Sequence, residues 1–503
     1  MMFKKITILL MMSIITTLMM SCQENNETTP SDERFIFIYD MLLDVDEIKT
    51  VDIQTNIDGH LDITYTYQGD AIHIDKGRIY GVKAGTETIV TASYENLSAS
   101  FKVVIPEDNI TISGSLFDDI EIEKIDALNN HEDFIMGVDL SSIVEVIKRG
   151  GKFYNHQGVR TSIYQLLKNQ GVNYIRIRLW NDPKSPSGTP YGGGNNDIEV
   201  AKQIGHDAKM FGMKILLDFH YSDFWADPGK QIIPKAWANL ETPEAISQAL
   251  YDFTYESMQA MEDAGAKVDM VQIGNEIAPG LLTQGTNSYE TLNTDNPNRF
   301  QLPQSISGST SNLSNFIMYL NAGLTAAKAQ NPDVLTMIHI DRGGNNAFYR
   351  TYFDRIEAAN LDFDIIGMSY YIFYHGSLSN FEFNIRDIAQ RYGKPIIIAE
   401  TSYAFTNQNV ANASHILTTS FGGYPLTVQG QADVTRDIIN IVASVPNELG
   451  IGIFYWEPAW LPVAGAGWAG VGTPGTWANQ ALFSYQGIEL PSLRVFKKVY
   501  PDA

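Results

Sequence analysis

Two acidic residues each close an apolar run: Val271-Gln272-Ile273-Gly274-Asn275-Glu276 and Pro395-Ile396-Ile397-Ile398-Ala399-Glu400-Thr401. A carboxylate ending a run as apolar as the second is costly unless it is paired or functional. Brought together, two such groups could break a glycosidic bond. One, kept protonated near neutral pH, donates to the leaving oxygen; the other, ionised, attacks the anomeric carbon. In a retaining pair the two carboxyl groups lie ~5–5.5 Å apart, and an amide next to the acid can bond the sugar 2-hydroxyl, the place Asn275 would take. Taken alone, an Asn-Glu pair after a strand is equally an ordinary helix N-cap. The chemistry therefore depends on what carries the two glutamates to one place.

The carriers are legible from 134 onward, where strand-like apolar runs alternate with amphipathic helical stretches. Strands are expected at 134–140, 174–180, 214–219, 270–275, 336–340, 365–369, 396–400 and 451–456, and helices at 161–170, 198–211, 243–264, 311–330, 381–391 and 433–445. Such an alternation reads as α/β, a (β/α)8 TIM barrel over 132–503, with its active site at the C-terminal strand ends. Strands four and seven face each other across such a mouth, which suits Glu276 as acid/base and Glu400 as nucleophile. The second strand places Arg176, Arg178 and Trp180 on one face by its period of two. Two arginines pointing into a barrel need anionic partners, either Glu400 or core acids. An arginine beside Glu400 would also hold its pKa down.

The most specific text follows the third strand: Asp218-Phe219-His220-Tyr221-Ser222-Asp223-Phe224-Trp225-Ala226-Asp227-Pro228-Gly229-Lys230-Gln231. It resembles glycoside hydrolase family 53, the endo-β-1,4-galactanases of clan A. Gly137-Val138-Asp139-Leu140-Ser141, Arg178-Leu179-Trp180-Asn181-Asp182-Pro183, Gly274-Asn275-Glu276, Ile338-His339, Gly367-Met368-Ser369-Tyr370-Tyr371 and Phe454-Tyr455-Trp456-Glu457-Pro458-Ala459-Trp460 agree with that family. The resemblance implies retaining endohydrolysis of β-1,4-galactan, the backbone of type I arabinogalactan, to galactooligosaccharides without a catalytic cofactor. It also implies Trp456 as a floor under the sugar, with His220, Asn275, His339 and Tyr371 on its hydroxyls. Trp225 and Asp139 are further candidates for substrate contact, beside Arg176 and Arg178. Two departures stand out. Ile372-Phe373-Tyr374 replaces the family's frequent Pro-Phe-Trp, so an outer sugar subsite is expected to differ. The stretch Ala404-Phe405-Thr406-Asn407-Gln408-Asn409-Val410-Ala411-Asn412 has no carboxylate where some bacterial members carry a calcium loop. Calcium prefers several oxygen ligands including carboxylates, so a structural calcium is left unassigned.

The N-terminus has a different purpose. Lys4 and Lys5 precede an apolar run over 6–20, too short to span a bilayer comfortably, and Leu18-Met19-Met20-Ser21-Cys22 resembles a bacterial lipobox. Cys22 is the chain's one cysteine, so it can staple nothing within the fold. The expectation is a lipoprotein signal over 1–21, lipidation of Cys22, and a polar tether over 22–33. The protein would then be exported and held at the outer membrane through that anchor, facing outward. Short β-type runs over 34–106 read as a small all-β, immunoglobulin-like sandwich, in part resembling the bacterial group 2 type, with a linker over 107–131.

Composition narrows the partners. With 58 Asp+Glu against 35 Lys+Arg, the net charge of -23 repels phosphate backbones and argues against nucleic acid. A neutral polysaccharide remains, bound by a monomer. Two other readings stay open: a clan A endo-hydrolase of β-mannan or β-glucan, and a surface glycan-binding protein without catalysis.

Overall fold

The computed structural model describes residues 34–502 apart from 132, 295–297 and 471; the expected signal, lipidated Cys22 and tether lie outside the described residues. Eight parallel strands close into a barrel: Ile135–Asp139, Tyr174–Leu179, Lys214–Phe219, Met270–Ile273, Leu335–Ile340, Ile365–Ser369, Ile396–Thr401 and Gly450–Tyr455. They are called strands one to eight below. The eighth pairs with the first, Met136 opposite Ile453, so no edge is left open. Each expected strand is present within a residue or two. The helices Ile143–Lys148 and Asn346–Ala358 are additions to the sequence reading, and the last long helix, Val428–Ala443, begins earlier than expected.

Alternation along the strands sorts the barrel into layers. Ile135, Tyr174, Leu216, Met270, Met337, Ile365, Ile397 and Phe454 fill the lumen as one apolar cluster. Their sister residues on the opposite strand faces, among them Met136, Ile175, Leu217, Val271 and Ile338, join the larger core under the helices. Two positions further along the inward faces of strands two to five, and four further on strands one and six, stand Arg176, Asp218, Gln272 and His339, and Asp139 and Ser369, all buried. The lumen thus turns from apolar to polar just below the mouth.

Strand seven departs from strict alternation. Ile397 and Ala399 both belong to the lumen cluster, so a regular strand would turn Glu400 outward. The pairing instead runs Met368 to Ile398 and then Ser369 to Glu400, an extra residue on strand seven, with a matching register shift against strand eight. A bulge of this kind re-aims a side chain. Here it swings Glu400 over the mouth.

Residues 36–105 form a small all-β unit of three sheets around Leu43, Val45, Ile72, Ile79, Val90, Phe101 and Val103. Several of its strands, such as Met41–Leu42 and Ile48–Thr50, are too short to show alternation in sequence. The unit docks on the barrel. Tyr80 and Val82 enter the barrel's own core cluster, and Arg160 Nη1 pairs with Asp44 at 2.8 Å and Asp108 at 3.2 Å. The expected linker runs against the barrel too, with Ile125 and Leu128 buried and Ile125 N–H donating to Val499 O.

Gly137 shows how tightly the lumen is filled: a Cβ there would lie 2.3 Å from Phe454 Cδ1. Gly137→Ala should therefore lower stability by about 1–3 kcal/mol through overpacking. Thermal denaturation followed by circular dichroism checks this, and an unchanged midpoint would mean the lumen is looser than the contact implies.

Candidate active site

The mouth of the barrel opens into a cleft of about 260 Å³ lined by His220, Trp225, Asn275, Glu276, Tyr371 and Glu400, with Trp456, Trp468 and Trp477 among the rest. Both glutamates thus face one space, although they stand far apart in the chain. Glu276 reaches it through a backbone turn: Gly274 has φ 83° and Glu276 φ 48°, a left-handed conformation uncommon for a residue with a side chain. A Cβ on Gly274 would meet Ile277 and Leu281 at 2.6 Å, so glycine is required there. Left-handed residues of this sort cluster at functional strand ends; Tyr221, Arg342 and Glu457 are others here, beyond strands three, five and eight.

The two carboxylates have different surroundings. Glu400 Oε1 lies 2.9 Å from Arg176 Nη2, and its Oε2 accepts a 3.0 Å bond from the Tyr371 hydroxyl. Among the described residues no cation pairs with Glu276; its Oε1 accepts from the Ser369 hydroxyl at 2.7 Å. Burial raises both pKa values. For Glu400, burial is opposed by Arg176, with Asp218 and Asp139 pushing up again, and the result is about 7. For Glu276, burial is reinforced by Glu400 and Asp341 and only weakly opposed by Ser369, so its carboxyl is held well above the usual range. When the pair shares one proton, the proton belongs on Glu276.

Asn275 is fixed beside them. Its Oδ1 accepts from Arg176 Nη2 at 2.9 Å and its Nδ2 donates to Ala226 O at 2.8 Å. An amide nitrogen carries two hydrogens, so one remains for a ligand.

Five of the nine residues expected to touch substrate line the cleft: His220, Trp225, Asn275, Tyr371 and Trp456. The other four do not. Asp139, Arg176, Arg178 and His339 are almost wholly buried beneath the mouth, where they hold other side chains. Arg176 binds Asp139 at 2.8 Å, Asp218 at 2.9 Å and Glu400; Arg178 binds Glu457 at 2.7 Å. Both nitrogens of His339 are engaged, Nδ1 with Gln272 and Nε2 with Ser369. His220 lines the cleft by its ring, but its nitrogens are also taken. Nδ1 accepts from Trp180 Nε1 and Ala226 N, each at 3.1 Å, and Nε2 donates to Asp218 at 3.0 Å.

Trp225 is likewise covered on both faces. Trp468 stacks on it at 4.3 Å and 7°, and the Arg178 guanidinium lies 4.2 Å from its centroid, which places it on the other side. The ring face left for a ligand is therefore that of Trp468, which sequence reasoning missed along with Trp477, Asp227, Asp341 and His375, whereas Tyr374 belongs to the stretch expected at an outer subsite. All six lie in loops, where no periodicity marks them. Ser369, Gln272 and Asp218 were also missed as working residues, although period two along their strands would have turned them inward. Among the described residues no group of three or more His, Cys, Asp or Glu could hold a metal ion.

The model of glycosyl hydrolase family 53 matches residues 135–496. An endo-β-1,4-galactanase of Bacillus subtilis (strain 168) is 37% identical over 412 residues, covering 76% of this chain and 89% of that protein. An arabinogalactan endo-β-1,4-galactanase of Humicola insolens is 29% identical over 371 residues, 72% of this chain and 98% of that one. Among solved structures, the GH53 catalytic domain of Ignisphaera aggregans superposes with a TM-score of 0.69 at 39% identity, covering 76% of this chain and 99% of its own.

Arg176→Lys tests the electrostatic reading. A lysine is a point charge and cannot fork to three carboxylates and two amides at once. An ammonium shared among three acids holds Glu400 less firmly, so its pKa rises and the acidic limb of the kcat/KM profile moves to higher pH. An unmoved limb would show that Arg176 does not set the charge of Glu400.

Proposed function

The chain belongs to glycosyl hydrolase family 53, and from that premise we propose how it works as an endo-β-1,4-galactanase. It hydrolyses 1,4-linked β-galactan within the polymer, with Glu276 as acid/base and Glu400 as nucleophile. The observation that carries the division of roles is the asymmetry of charge: a guanidinium and a phenol on Glu400, one neutral hydroxyl on Glu276.

The first step follows from it. Glu276 gives its proton to the glycosidic oxygen while ionised Glu400 attacks the anomeric carbon; the C–O bond to the leaving chain breaks and a glycosyl-enzyme forms. Tyr371 keeps its own proton, its pKa driven well up by burial and by Glu400, so it remains a donor to the nucleophile. In the second step Glu276, now a carboxylate, takes a proton from water, whose oxygen joins the anomeric carbon as Glu400 leaves. Two inversions give net retention. The spare Asn275 N–H serves the 2-hydroxyl, a bond that strengthens as the ring flattens. Trp456 and Trp468 present apolar surface to the sugar C–H faces. A metal or cofactor has no part in these steps.

We also carry the N-terminal reading forward as a proposal: an exported monomer, lipid-anchored at Cys22 on the outer membrane and facing outward, whose all-β unit holds the barrel at a set distance. What supports it is the lipobox-like Leu18-Met19-Met20-Ser21-Cys22.

Glu276→Gln and Glu400→Gln should each reduce the release of reducing ends from galactan by ~10²–10⁴ or more, since each removes a group the chemistry requires. Near-normal activity in either variant would overturn that residue's role. Proton NMR early in the reaction should show β-anomeric products; α-products would exclude retention. Cys22→Ser should move the protein from the membrane to the soluble fraction, and a distribution unchanged from the parent would refute the anchor.

A further inference from the structure

Beneath Glu276 runs a chain of hydrogen bonds whose direction can be worked out from its far end. Arg176 Nε and Nη2 both approach Gln272 Oε1 at 3.3 Å. A guanidinium has only hydrogens to offer, so the Gln272 oxygen must face it and the Gln272 nitrogen must face away. That nitrogen lies 2.6 Å from Asp218 Oδ1 and 2.9 Å from His339 Nδ1, its two shortest contacts and so the use of its two hydrogens. His339 Nδ1 is therefore an acceptor. The backbone N–H of Glu276 points at the same nitrogen from 3.5 Å, a second donor aimed at one lone pair.

The histidine is neutral, because burial and then Arg176 hold its pKa well below the ordinary value. Its single hydrogen is on Nε2, which lies 2.8 Å from Ser369 Oγ. Ser369 receives that hydrogen and has its own left to give, 2.7 Å from Glu276 Oε1. Each link leaves the next one choice.

Resting on the assignment of Glu276 as the acid, we propose that Ser369 is a positioning residue for the reaction. Held in one orientation by His339, Gln272 and Arg176, it keeps Oε1 of Glu276 as an acceptor throughout and so confines the catalytic proton to Oε2. A carboxylic acid carries its hydrogen on either oxygen in water. Oε1 is the acceptor within reach of the Ser369 O–H among the described residues, so a hydrogen on Oε1 would turn Ser369 into an acceptor twice over and leave its own buried O–H unpaired. The proton thus sits on Oε2, the oxygen left to the cleft. When the Oε2–H bond breaks toward the leaving oxygen, the charge that develops is met at Oε1 by the Ser369 hydroxyl. In the second step the water proton returns to Oε2. Arg176 therefore governs both ends of the reaction, charging Glu400 directly and aiming the acid through three intermediates.

The groups facing Glu276 are Glu400 from strand seven, Asp341 after strand five, Asp227 from the loop after strand three, Tyr371 after strand six and Tyr349 from the helix Asn346–Ala358. His375 lines the same cleft. None of them is altered by Ser369→Ala, so that variant isolates the hydroxyl.

The test compares Ser369→Ala with the parent on galactan and on an aryl β-galactobioside whose dinitrophenolate leaves without protonation. On galactan, kcat/KM should fall about tenfold, a part of the ~10²–10⁴ that acid catalysis supplies. On the aryl substrate the fall should be under about threefold, since that leaving group needs no acid. Losing a donor to the carboxylate disfavours the ionised acid, so the alkaline limb of kcat/KM should move to higher pH. Equal losses on both substrates with an unmoved alkaline limb would overturn the proposal. Glu276→Gln separates the two layers of inference: if it stays active, the acid assignment fails, whereas an inactive Glu276→Gln enzyme beside an unaffected Ser369→Ala enzyme sinks only the relay. Should Ser369→Ala not fold, ¹⁵N NMR of the histidine-labelled parent decides. His339 must show a bare Nδ1 and a protonated Nε2 at neutral pH; the opposite tautomer refutes the chain.

Discussion

The site depends on one buried guanidinium. Arg176, 1% exposed, gives hydrogens to Asp139, Asp218, Asn275 and Gln272 and pairs by charge with Glu400 at 2.9 Å, residues of or just beyond strands one, three, four and seven. Few side chains could do this. A guanidinium is planar, always charged and forked, so it serves several acceptors in fixed directions where an ammonium would serve whichever was nearest. Burying such an ion costs several kcal/mol, and the attraction of three carboxylates has to offset it. The arrangement is therefore all or nothing: each acid is tolerable in the lumen because the arginine is there, and the arginine because the acids are.

The balance around it is incomplete. Asp139, Asp218, Glu400 and Glu457 share only Arg176 and Arg178 as buried cations at short range. With more acids than cations, the surplus shows as retained protons. Glu400 and Glu457 are both pushed up to about 7 by burial, with the arginines pulling the other way. Asp218, in contact with both Arg176 and His220, stays below its usual value despite its burial. Glu276, paired with no cation among the described residues, is held well above the usual range by burial and by Glu400. One electrostatic deficit, unevenly distributed, thus sets the proposed acid apart from the proposed nucleophile.

How much of this could be read in the sequence follows from what periodicity encodes. Alternation tells which way a strand residue faces, and on that basis the barrel and the inward placement of Arg176 and Arg178 were legible. It does not tell depth. Arg176 and Arg178 were expected near the sugar because they face inward, and Asp139 and His339 because the family resemblance implied it; the structure seats all four one layer below the cleft. Glu400 is the opposite case: parity with Ile397 and Ala399 would have sent it out of the lumen, and only its chemistry marked it. The bulge that reconciles the two is a matter of register between strands, which one strand's text does not carry. Trp468 and Trp477 reach the cleft from loops after strand eight, where neither period nor strand end flags them.

The aromatic side of the cleft completes the same logic. Arg178 takes Glu457 as its charge partner, and Ser142 Oγ donates to the other Glu457 oxygen at 2.5 Å, so the ion pair is held from behind. The guanidinium then lies over one face of Trp225, 4.2 Å from its ring centre, and Trp225 in turn carries Trp468. Gly193 makes room for this stack, since a Cβ there would meet the Trp225 ring at 2.5 Å. A ring gripped on one face by a cation and on the other by a parallel indole has little freedom left, and the outer indole inherits that rigidity. A neutral sugar offers no charge to grip, so its orientation has to come from fixed apolar surfaces and a few aimed hydrogens. Both arginines of strand two serve that need without touching the sugar: one by ordering the groups that react, the other by stiffening the wall against which the polymer rests.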